Sequence, residues 1–177
     1  KSQFIQAGDS IYLLGEIVPE LGGSIYLECL GFPLSGPCPK IDLAVEKVLQ
    51  ETLLKLTTQG LVESCHDISE GGLALTLVEC CFGTKFGLTV DINTDLRADY
   101  CLFSETPSCI VVSVKKGNES EFLELVSRFP VSRLGQVTDQ DFLLSVNGRL
   151  LISASVPVML KEWRAPLDQI FGVNFKK

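Results

Sequence analysis

Residues 65–73, Cys-His-Asp-Ile-Ser-Glu-Gly-Gly-Leu, join an apolar run at Leu61–Cys65 to a second apolar run that continues to Cys81. A short polar turn closed by paired glycines between two such runs specifies a strand, a tight loop and a helix. Turns of this kind gather backbone N–H groups and short polar side chains at a helix N-terminus, where an anion or a metal-bound phosphate is favoured.

The rest of the chain repeats that alternation. Asp9–Glu16 reads as a short strand that enters a loop through Pro19 to Leu21-Gly22-Gly23-Ser24. Ser24 suits an N-cap, so residues 25–30 form a short helix that Gly31 stops. Three prolines in the stretch Pro33–Pro39 forbid its continuation. Asp42 then caps the strongest helical pattern, with Val45, Val48, Leu49, Leu53 and Leu56 on one stripe and Glu46, Lys47, Glu51 and Lys55 opposite; Gly60 ends it.

Leu61–Cys65 follows as a strand, and residues 72–81 as a helix apolar nearly all round and therefore buried. Gly87–Ile92 alternates as a half-buried strand, Asp95–Phe103 is a short helix, and Cys109–Val114 is another strand. Residues 118–129 are amphipathic, with Phe122, Leu125, Val126 and Phe129 in register, and Val131–Val137 returns as a strand. Asn147-Gly148 between Phe142–Val146 and Leu150–Ser153 predicts a hairpin with a type I′ turn. From Pro157 onward, Leu160, Trp163, Leu167 and Phe171 keep helical spacing in a helix that Pro166 should kink or break.

At 177 residues, with 46% hydrophobic side chains, the chain fits one domain spanning residues 1–177. Its mean hydropathy of +0.29, with 10 Phe and 1 Trp, suggests a surface face covered by another domain or subunit. A net charge of −7 and a pI near 4.7 exclude a phosphate-backbone binder, so no nucleic acid is expected as partner. No apolar run reaches the roughly 18–20 residues of a membrane span, and no signal-like region opens the chain. The seven cysteines are odd in number and lack a CxxC pair, which reads as reduced thiols in a cytoplasmic protein. The first residue is Lys1 and the sole methionine is Met159, so a piece of a longer chain is expected.

In the 65–73 turn, Asp67 offers a hard carboxylate oxygen for magnesium beside helix N–H groups, and Ser69 a hydroxyl for a phosphate. The same residues also serve a plain structure in which Asp67 or Ser69 caps the next helix and Gly71-Gly72 permits close packing. Gly22-Gly23-Ser24 has the same two readings, a backbone approach to a ligand or simply a turn. His66 is the sole histidine, and no serine or cysteine nucleophile stands beside it at a recognisable spacing, which favours a hydrogen-bonded structural role. Glu105 either brings a carboxylate near the same site or ends a helix before Pro107.

The run His66-Asp67-Ile68-Ser69-Glu70-Gly71-Gly72-Leu73-Ala74 resembles the HD-x-S-(E/D)-GGL signature in the last synthetase-type domain of the phosphoribosylformylglycinamidine synthases. Leu14-Gly15-Glu16, Leu21-Gly22-Gly23-Ser24, Pro39-x-x-Asp42-Leu43 and Leu102-Phe103-Ser104-Glu105-x-Pro107 resemble further landmarks of that family, in its order, over residues 11–112. Selenophosphate synthetases, hydrogenase-maturation proteins and aminoimidazole ribonucleotide (AIR) synthetases share the superfamily, but their glycine loops read differently.

The resemblance implies an α+β fold of layered α/β/α type, like the AIR synthetase C-terminal domain: a mixed, mostly antiparallel sheet with crossover helices, partly ferredoxin-like. It implies an ATP-dependent ligase in which ATP and Mg2+ activate the amide oxygen of formylglycinamide ribonucleotide and glutamine-derived ammonia displaces the phosphate. It carries a metal role to Asp67 and nucleotide contacts, to ATP or ADP, to Ser69, Gly71, Gly72, Gly22, Gly23 and Ser24. The implied partners are the remaining synthetase domains of the same chain and a glutaminase domain or subunit. Because the family's catalytic histidine lies in earlier domains, these residues alone should be inactive. The alternative is a non-catalytic ligand-binding or scaffold domain of the selenophosphate synthetase or hydrogenase-maturation type.

Overall fold

The structure, a computed structural model, describes residues 1–33 and 35–171, apart from the side chains at 167–169 and 171. Its strands are β1 (Ser10–Leu14), β2 (Ser64–Asp67), β3 (Gly87–Ile92), β4 (Ile110–Val114), β5 (Val131–Thr138), β6 (Phe142–Val146) and β7 (Arg149–Ala154). The helices are α1 (Ile25–Cys29), α2 (Leu43–Thr58), α3 (Gly72–Cys81), α4 (Ala98–Phe103), α5 (Glu119–Leu125) and α6 (Val156–Phe171). All seven strands join one sheet in the order β2-β4-β1-β5-β3-β6-β7. Among the described residues only β3 and β6 run parallel and every other neighbouring pair is antiparallel, giving the mixed, mostly antiparallel sheet that the family resemblance implies.

The interior strand β1 is buried along its whole length because its alternating side chains meet helices on both faces. Ile11 and Leu13 join Leu73 and Leu77 of α3 and Leu102 of α4. Tyr12 and Leu14 join Leu49 and Leu56 of α2 and Phe122 of α5, with the Tyr12 and Phe122 ring centroids 4.9 Å apart. Helices therefore layer both faces over β1 and β4, which makes the α/β/α arrangement.

Local chemistry explains where the sequence reading holds and where it shifts. Asp42 Oδ1 accepts the Ala44 and Val45 N–H groups at 2.8 and 3.2 Å and so starts α2. The helix ends with Gly60 N–H donating to Thr57 O and Leu61 N–H to Leu56 O, a paired closure that a glycine in the left-handed region makes possible. Leu61 is spent on that closure, so β2 begins at Ser64 instead of Leu61. As a result His66 and Asp67 are strand residues, opposite Val111 and Ile110.

Val45 and Val48 are exposed, whereas Leu49, Thr52 and Leu56 are buried, so the core-facing stripe of α2 is narrower than the apolar periodicity. α4 starts at Ala98 and α5 stops at Leu125, both shorter than expected. Asn147 and Gly148 both take positive φ, as the type I′ hairpin requires. α6 runs on as one element with Pro166 inside it; the expected packing of Leu167 and Phe171 lies outside the described residues. Among the described residues, no helix is long and apolar enough to cross a membrane.

Candidate functional site

β1 ends, β2 ends and β4 begins at one edge of the sheet, where Leu14 and Asp67 both pair with Ile110. Three loops meet there: residues 15–24, 68–71 and 104–109. Ile68 anchors the second, buried and donating its N–H to Cys109 O at 2.9 Å. With that anchor inside, the flanking Asp67, Ser69 and Glu70 side chains face outward. The Asp67 side chain is 75% exposed on an edge strand. His66 Nδ1 lies 2.9 Å from the Asp67 carbonyl oxygen, and its Nε2 lies 3.6 Å from Glu79 on α3. These contacts tie the ring to the strand end and to the following helix.

Gly71 and Gly72 both adopt positive φ, 80° and 66°, where a side chain is strained. A Cβ on Gly72 would stand 2.7 Å from Leu102 O and 2.8 Å from the Phe103 Cα, so the first turn of α3 touches the backbone of α4 directly. The Gly71 N–H is taken by Glu105 Oε1 at 2.9 Å.

The 22–24 turn is equally engaged. Gly22 leaves no room for a Cβ beside Pro37 O, and Gly23 donates its N–H to Ser35 O at 3.2 Å. Ser24 is buried; its hydroxyl donates to Leu21 O at 2.7 Å and accepts the Leu27 N–H at 3.4 Å, the expected cap of α1. Glu105 Oε1 accepts the Ile25 N–H at 3.0 Å. One carboxylate oxygen therefore joins the starts of α1 and α3. The sequence places Glu105 either near the site or at a helix end; what it hides is that its acceptor is filled from within the protein.

Charge decides what this edge can hold. The segments 15–24, 67–72 and 102–109 contain Glu16, Glu20, Asp67, Glu70 and Glu105 but neither lysine nor arginine. A phosphate brought here meets carboxylates and no cation from these three loops, a repulsion that a divalent metal between them would offset. Among the described residues no three histidine, cysteine, aspartate or glutamate side chains converge to hold a metal ion. Magnesium held by one carboxylate, substrate phosphates and waters is compatible with the exposed Asp67. Beside the loops, an open cleft of about 740 Å³ is lined by residues 15–19, 93–96 and 130–134, among others.

Over residues 6–145 the chain matches the family described as AIR synthase related protein, C-terminal domain. The chain belongs to that family. It is 41% identical over 164 residues to the phosphoribosylformylglycinamidine synthase subunit PurL of Caldanaerobacter subterraneus subsp. tengcongensis, covering 91% of this chain and 22% of that relative. The chain thus spans about a fifth of the length of the curated relatives it matches. In structure it is similar to Thermotoga maritima PurL complexed with FGAR, with a TM-score of 0.74 at 19% identity over 89% of this chain and 29% of that one. The same protein complexed with ATP gives 0.71 at 18% identity, over 89% of this chain and 26% of that one. The hydrogenase maturation protein HypE is more distant, with a TM-score of 0.60 at 15% identity over 88% of this chain and 55% of that one.

Proposed function

We infer that this AIR synthase-related domain is the C-terminal part of a cytoplasmic phosphoribosylformylglycinamidine synthase. In that enzyme ATP activates formylglycinamide ribonucleotide, and ammonia from a glutaminase domain or subunit completes the amidine. The domain contributes a magnesium-nucleotide loop and a packing surface for the other synthetase domains of its chain.

In this reading Asp67 is one magnesium ligand and Ser69 a contact to nucleotide phosphate. Gly71, Gly72, Gly22, Gly23 and Ser24 shape the two turns that bring their elements to the nucleotide. The observation that carries it is the outward-facing Asp67 and Ser69 among loops without basic side chains, where a metal-bound polyphosphate is favoured over a bare one. Bound magnesium would neutralise phosphate charge; the domain's own residues would orient it. The 41% identity to a PurL subunit favours this over the scaffold reading of the hydrogenase-maturation type, whose relative is 15% identical.

Titration of the full-length enzyme that contains this domain with ATP in the presence of Mg2+ tests the assignment. Asp67→Asn removes the ligand charge from an exposed side chain, so affinity should fall about tenfold or more with an unchanged melting temperature. Equal affinity in the variant and the parent sinks the assignment.

A further inference from the structure

The two glycine turns are separated by more than forty residues in sequence, yet a single atom links them. Glu105 Oε1 accepts the Gly71 N–H at 2.9 Å and the Ile25 N–H at 3.0 Å. Its neighbours extend the seam, since Ser104 Oγ accepts the Glu20 N–H at 3.2 Å and Thr106 Oγ1 the Val18 N–H at 3.3 Å. Phe103 stacks on Tyr26 of α1 with ring centroids 4.4 Å apart and planes 3° from parallel. On the other side, the Gly72 Cα lies against the Leu102–Phe103 backbone. Residues 102–106 thus grip both turns.

We propose that Glu105 is a positioning residue that makes the two turns one unit, so that the Asp67–Ser69 loop is held in its binding geometry only while the 22–24 turn is seated. The proposal rests on the nucleotide reading above and goes beyond it by assigning Glu105 a role other than ligand. Three features support this. The shared oxygen is already saturated by two N–H donors. Charge-assisted bonds of this kind are roughly twice as strong as neutral ones. The loops supply no basic side chain that could compete for the carboxylate.

The amide protons of Gly71 and Ile25 report the link directly. In Glu105→Ala, hydrogen exchange at both should accelerate together by about tenfold or more, while Glu105→Gln, which keeps an acceptor oxygen, restores most of the protection. Magnesium-ATP affinity should follow the same order, weak in the alanine variant and largely rescued by glutamine. Acceleration at only one amide, or intact magnesium-ATP affinity once both have accelerated, overturns the proposal. Should the alanine variant not fold, the glutamine variant decides alone: both amides must shift by a similar factor, and unequal shifts refute the link. A full-length parent enzyme that carries no magnesium-ATP at this domain refutes the nucleotide reading instead, and leaves the exchange result to judge whether Glu105 joins the turns.

Discussion

Asp9 stands immediately before β1 with 1% of its surface exposed, and neither of its carboxylate oxygens has a hydrogen-bond partner among the described residues. Burial, then the nearby Glu63 and Glu119 carboxylates, push its pKa up from 3.8 to about 6, against a smaller opposing pull from Lys115. The folded state therefore holds this proton more tightly than the unfolded chain. Stability from Asp9 is fully present below about pH 4 and is lost as pH rises through about 6. At 1.36 kcal/mol per pKa unit, the loss by pH 7.5 is on the order of 3 kcal/mol. Urea unfolding of the parent and of Asp9→Asn at pH 5 and pH 7.5 isolates the term, because other groups cancel in the difference. The parent should lose stability relative to the variant on going to pH 7.5; a difference constant with pH contradicts the assignment. Such a residue is hard to find in a sequence, where an aspartate before a strand looks like a solvated strand end.

At the scale of elements, the two glycine turns separate conformational strain from packing. Gly23 and Gly72 have nearly the same φ, 72° and 66°, but a Cβ on Gly23 would meet nothing within 4 Å, whereas one on Gly72 would press on α4. Gly23→Ala should cost about 1–2 kcal/mol, the price of a left-handed alanine. Gly72→Ala should cost a further ~1–3 kcal/mol as α3 is pushed from α4. Equal unfolding midpoints for the two variants would show that α3 and α4 do not depend on this contact. The sequence shows both glycine pairs, the Ser24 cap of α1 and the hairpin, because each is written in a few adjacent residues; the cap offered for α3 by Asp67 or Ser69 is not made, since Gly71 holds that helix's N-cap position without a side-chain cap. It misplaces β2 by three residues because Leu61 satisfies a helix-closing pattern and a strand pattern equally well, and hydrogen bonding to Leu56 decides between them. It leaves the link between the turns unseen because the carboxylate that makes it lies 80 residues from Ile25 and 34 from Gly71.

For the whole molecule, the same limit appears in α2. Periodicity identifies a stripe that must be covered, but it does not say by what. Leu49 and Leu56 are covered by the sheet, while Val45 and Val48, on the pattern assigned to the core, stand 45% and 49% exposed. They are exposed along with Leu43, Ile41, Phe32 and Leu30, all within residues 30–48. A run of large apolar side chains this dense fits the packing surface proposed above. The chain spans about a fifth of the length of its curated relatives, and in the function proposed above the remaining synthetase domains cover the run. Without that cover, the exposed residues should drive self-association. Replacing both Leu43 and Val48 by lysine should shift sedimentation toward the monomer and reduce binding of an apolar dye. The melting temperature should change little, since neither side chain is part of the core. A parent chain that sediments as a monomer at its solubility limit and binds no dye would show that the patch needs no cover. In that case the narrow buried stripe of α2 is all that its periodicity encodes.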